Sequence, residues 1–341
     1  MRSSGWSLAA FVLVASLTPA EPQTGGTILP PIAHTRSDLN VYLDLHNHLM
    51  VAARQSENAL PEYRSEVIAY RQAREMANGT AAWRFVSDAC VTGPDIKTIG
   101  MAAGNLPASF DSADRVAAKK MIEALVSAWP RFEAKDLVEH RRSLQNILVK
   151  VIRKHFSGQL EERIMTTLYD KLAFKPLDAP ITLYPVIGAP DAGTWGRTAQ
   201  GYYLVVPGGR MGQLTIIENL VHELTHVLDE NQPLGSRTFL VRLRGKAAGI
   251  EPETVDASMH GLVSWNAGEM VRRFGNAEHQ TYAELSPARR AKIEKFLPSY
   301  QGSWLGYIEG RLTADQAIDG LVAGMRAAEP EKAEAGAKPL P

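Results

Sequence analysis

The sequence predicts an α+β protein: a mainly helical N-terminal portion, then a small mixed sheet leading into a strongly patterned helix. Three observations predict it. From Ser37 to about Phe174, apolar residues recur at helical spacing. Two β-branched and aromatic runs follow, Ile181–Ile187 and Tyr202–Val206. After them, Gln213–Gln232 contains no Gly or Pro. It carries an apolar stripe of Ile216, Ile217, Leu220, Val221, Leu224, Val227 and Leu228.

Met1 to Ala20 has the pattern of a secretory signal peptide: Arg2 in a short start, an apolar run from Leu8 to Leu17, and a Thr18-Pro19-Ala20 exit. Export, to the periplasm or the outside, is therefore expected. No later stretch approaches the length of a membrane span, so a soluble mature chain is expected. Residues 21–36 read as an extended leader and 37–175 as the helical region. Residues 176–328 form a second region, and 329–341, rich in Ala, Glu, Lys and Pro, a disordered tail.

Within the helical region, a first helix is expected over Leu39–Leu49. Others are expected over Ala113–Trp129, with Val116, Met121, Ile122 and Leu125 buried, and over Leu137–His155, with Leu144, Ile147, Leu148 and Ile152 buried. Leu160–Leu172 is a fourth, and Thr92–Asp111 reads as loop. Pro185 predicts an edge strand or a bulge for the first β run. Strands placed before the patterned helix suit either a sheet edge that binds an extended peptide or a plain hairpin over the core. Beyond that helix, further helices are expected over Val255–Phe274, Pro287–Phe296 and Thr313–Ala327.

Whole-chain numbers exclude some functions. Lys+Arg and Asp+Glu are 37 each, so no overall basic field exists to hold nucleic acid. Cys90 is the single cysteine, which rules out an intramolecular disulfide and leaves no set of thiolates to hold zinc; imidazole and carboxylate must serve.

The chemistry is concentrated in His222-Glu223-Leu224-Thr225-His226. Positions four apart share one helix face, so both imidazoles can meet one metal ion. Glu223 lies about a hundred degrees around the helix, beside the metal, where it can take a proton from a zinc-bound water.

This pentad on an apolar helix resembles the zincin superfamily of metallopeptidases, over about Ile181 to Arg273. The metzincin branch adds a Gly and a His at places occupied here by Asp229 and Gln232, so the likeness is to the gluzincin branch. There a Glu on a later helix supplies the third ligand. The resemblance therefore implies a zinc peptidase with Glu223 as general base and His222 and His226 as ligands. Glu269 is the candidate third ligand, in Trp265-Asn266-Ala267-Gly268-Glu269. The thermolysin-like pattern, with Asn directly before the Glu, is not kept. The bland reading of Glu269 is an ion pair with Arg273.

His260 competes with Glu269. Nine residues apart on one helix, the two lie on opposite faces, so both bind only if the helix begins after His260. His260 otherwise lines the cleft and steadies an oxyanion, or is structural. Tyr282 and His279 are candidate transition-state donors. Asp229 and Asp256 are candidate partners for the free ring N–H of a ligand His.

A second pattern, Asp44-Leu45-His46-Asn47-His48, resembles the start of amidohydrolase barrels. Its helical setting splays the two His by about 200°. The expected function is an exported zinc metallohydrolase acting on peptide or protein. The alternatives are a non-catalytic binding or scaffold protein of zincin shape and, less favoured, an amidohydrolase-type metal enzyme.

Overall fold

The computed structural model describes residues 34–187, 194–208 and 212–329. The expected signal peptide, most of the leader and nearly all of the tail lie outside them. The architecture is α+β, built around one mixed four-stranded sheet. Its strands are β1 (Thr35–Ser37), β2 (Ile181–Val186), β3 (Thr194–Thr198) and β4 (Gly201–Pro207), in the spatial order β1-β2-β4-β3. β1, β2 and β4 run parallel, while β3 pairs antiparallel with β4 and forms an edge.

β2 is not an edge strand as Pro185 suggested; it lies between β1 and β4. The register explains why Pro is accepted there. Ile181 N–H donates to His34 and Leu183 C=O accepts from Asp38, so alternate residues of β2 face β1. Pro185 is the next in that series and falls beyond the end of β1, where no partner asks for its missing N–H. The end of the supposed leader is thus a strand.

Period-two alternation divides the sheet between two cores. Ile181, Leu183, Tyr202, Leu204 and Val206 face one, which holds the helices from Leu148 onward. Tyr184, Val186, Tyr203 and Val205 face the other, which holds helices Val41–Gln55, Arg64–Met76, Ala81–Thr92 and Ser112–Lys135. Each fully buried Leu, Val or Phe in these layers contributes about 1.5–3 kcal/mol against leaving it in water.

Helices occupy the expected stretches, with three corrections. Val116 is exposed, on the outer face of its helix. The stretch read as loop holds a short helix, Ile96–Met101, whose N-cap Asp95 accepts from Thr98 N–H. Leu137–Ile147 continues through Leu148–Phe156 with wider, π-type turns. Among the described residues, no helix is long and apolar enough to cross a membrane.

Two helices position the chemistry. The motif helix, Gln213–Glu230, buries its whole predicted stripe in the core it shares with one face of the sheet. The second helix, Pro252–Phe274, starts with Pro at its first position and is closed by Gly275, whose N–H donates to Val271. It packs along the motif helix, where Gly268 allows close approach. A Cβ there would come within 2.5 Å of Thr281 and 3.0 Å of Glu218.

Candidate metal centre

His222 and His226 stand one turn apart on the motif helix, with ring centroids 4.7 Å apart and their Nε2 atoms 3.2 Å apart. The third imidazole is His260, from the second helix, with ring centroids 4.8 Å from His222 and 5.4 Å from His226. One nitrogen from each ring lies within 4.8 Å of the others. Two nitrogens each about 2.0–2.1 Å from a tetrahedral zinc are roughly 3.3 Å apart, so the His222–His226 pair already has the spacing of shared ligands. His260 stands at the solvent-facing rim of the cluster.

Electrostatics keep these rings neutral. Burial pushes His222 well below the ordinary imidazole range, helped by His226, His260 and the Arg289 guanidinium. Burial brings His226 down to about 4, with His260 adding to it. Partial burial lowers His260 too, followed by Arg289 and Lys292. Neutral imidazoles offer lone pairs to a cation without first releasing protons. Ser264 Oγ, four residues past His260, lies 3.1 Å from His222 Nδ1. In the tautomer that donates from Nδ1 to Ser264, the lone pair is left on Nε2, the atom that faces His226.

Glu223 is buried, and its carboxylate lies 3.9 Å from His222 Nε2. Burial raises its pKa to about 7, opposed by Arg289 and Arg84 and reinforced by Glu230. A carboxyl group poised there accepts and returns a proton at neutral pH.

Glu269 is not brought to the imidazoles. The second helix is continuous from Pro252 to Phe274, so Glu269 lies on the face opposite His260. Its carboxylate accepts from Arg272 Nη1 at 2.7 Å, while Arg273, the partner expected for it, pairs with Glu309 at 3.0 Å. Tyr282 begins a short helix, Tyr282–Leu285, and lines a cavity next to His260. His279 does not reach the cluster: its Nε2 lies 2.9 Å from Glu218 Oε2. Of the expected second partners, Asp256 is exposed, and Asp229 is half-buried with its Oδ1 unpaired among the described residues.

Two features were missed in the sequence. Ser264 was legible as the residue one turn beyond His260 on the same face, but His260 had first to be chosen over Glu269. Glu218 is one turn before His222 and fully enclosed; it accepts from Tyr282 N–H at 2.9 Å as well as meeting His279. It fixes the segment that carries Tyr282 against the motif helix.

The second His pattern goes elsewhere. His46 and His48 lie on helix Val41–Gln55, in the other core. His46 Nδ1 meets Tyr70 Oη at 2.9 Å, and the ring of His48 packs edge-on against His140. His140 Nδ1 in turn lies 2.6 Å from Asp44 Oδ2.

The chain matches no protein-family model, no curated protein and no solved structure.

Proposed function

We propose that this protein is an exported zinc-dependent hydrolase of the zincin kind, a peptidase whose metal is held by His222, His226 and His260. The observation that carries the reading is the convergence of three neutral imidazoles from two helices, with a buried carboxylate beside them. A chance polar edge on an apolar helix does not supply a third imidazole from a neighbouring helix, nor a hydroxyl oriented to fix the tautomer. Three neutral ligands would leave the full charge of the cation at the site, where a Glu ligand would offset part of it. Export rests on the pattern at Met1–Ala20.

A bound zinc ion would supply Lewis-acid polarisation of a carbonyl and an acidified water near neutral pH. The chain supplies the rest. Ser264 holds His222 in the ligating tautomer. Glu223 takes a proton at its buried carboxylate and delivers it to the leaving amine. Enclosure by the motif helix keeps that carboxylate dry enough for its proton affinity to match neutral pH.

Replacing Glu223 by Gln should cut hydrolysis of a broad peptide library by about a hundredfold or more while zinc stays bound. Full activity in that variant would refute the mechanism. Zinc binding without turnover in the native protein would favour a scaffold role.

A further inference from the structure

The cavity beside the imidazole cluster has a volume of about 560 Å³, and His260 forms part of its wall. Its charge is one-sided. Arg289, Lys292 and Lys295 line it, and the only carboxylate there among the described residues, Glu218, is buried and already accepts from Tyr282 N–H. The Arg289 guanidinium lies 3.9 Å from the centroid of the Tyr282 ring, which steadies it on the cavity wall. Lys292 is exposed and has no ion-pair partner among the described residues, whereas Lys295 donates to Ala328 C=O at 3.3 Å. His260, Arg289 and Lys292 line the same cavity, so the cationic wall adjoins the cluster. Ala257, Gly261, Ala283 and Ala291 on the same wall are small and leave room for a substrate side chain or chain end.

From this geometry we infer that the cavity is a carboxylate subsite, and that the substrates are peptides with an anionic group close to the bond cleaved. The inference rests on the hydrolase reading for its reaction and on the cavity for its selectivity. Lys292 offers a point charge to a carboxylate, and the Arg289 guanidinium adds a second positive charge on the same wall. A carboxylate bound there would sit next to His260, leaving the adjoining amide to face the cluster and Glu223. Two groups present this chemistry in peptides: the free C-terminus and an Asp or Glu side chain.

The test uses full-length, zinc-supplied protein carrying Glu223→Gln, so that peptides bind without being consumed. Three short alanine peptides are compared by calorimetry: one with a free C-terminal carboxylate, one amidated, and one amidated with a single Glu. At least one charged peptide is expected to bind about tenfold more tightly than the neutral one, and which of them does so identifies the source of the carboxylate. Adding Lys292→Gln should shrink that ratio toward one; it also separates this subsite from a carboxylate sitting directly on the metal. Equal binding of all three, or a preference untouched by Lys292→Gln, overturns the subsite. Hydrolysis of the same peptides by the native protein is scored separately. Charge preference without cleavage removes the hydrolase reading and leaves the subsite; cleavage without charge preference does the reverse.

Discussion

Glu223 carries two roles that pull in opposite directions. Burial raises its carboxyl to about 7, from an ordinary value of 4.5. Below pH 4.5 the group is protonated folded or unfolded and contributes nothing. As pH rises from 4.5 to 7, the unfolded chain ionises it while the folded chain resists, so stability is lost across that window. Above pH 7 the loss is complete, on the order of 3 kcal/mol. Metal-free Glu223→Gln should therefore gain stability over the native protein at pH 8 but not at pH 4. Urea unfolding at the two pH values measures this, and an equal difference at both would contradict the burial argument. Ser264→Ala should weaken zinc affinity about tenfold or more by releasing His222 Nδ1, as a chelator competition would show. Glu269→Gln should leave zinc content unchanged, since its partner is Arg272.

The packing of the two central helices depends on one small residue. Gly268→Ala would place a methyl against Thr281 and Glu218, forcing the Tyr282 segment outward. A loss of about 1–3 kcal/mol is expected, seen as a lower Tm, together with weaker peptide binding. Unchanged stability would mean that the helices have slack. The motif helix was legible because its apolar period, its lack of breakers and its two His all agree. β3 was not, because Thr194–Thr198 is too short and polar to stand out, and only pairing with β4 defines it. The placement of Pro185 depended on where β1 ends, a long-range fact that no local pattern holds. The expected helix over Val255–Phe274 already set His260 and Glu269 on opposite faces; which face meets the motif helix is a packing fact that no local pattern holds.

Taken as a whole, the chain uses its sheet as a partition. The imidazole cluster belongs to the layer with the motif helix, while the N-terminal helices pack on the opposite face. Arg84 nonetheless lies over Trp195 of β3 and acts on Glu223, so the helical layer reaches the site around that edge. The N-terminal layer carries its own acid sensitivity. Burial pushes His46 down to about 3, from 6.5. Above pH 6.5 the ring is neutral in both states. As pH falls from 6.5 toward 3, the unfolded chain takes up the proton first and stability is lost. His46→Asn should flatten that acid limb in a pH series of Tm values; an unchanged slope would place the sensitivity elsewhere. The central claim is the identity of the ligands, and zinc-edge X-ray absorption on the full chain tests it most directly. One zinc per chain is predicted, with three imidazole nitrogens at about 2.0–2.1 Å, the third lost in His260→Ala. Protein that takes up no zinc when resupplied, or a ligand shell unchanged by His260→Ala, would contradict it.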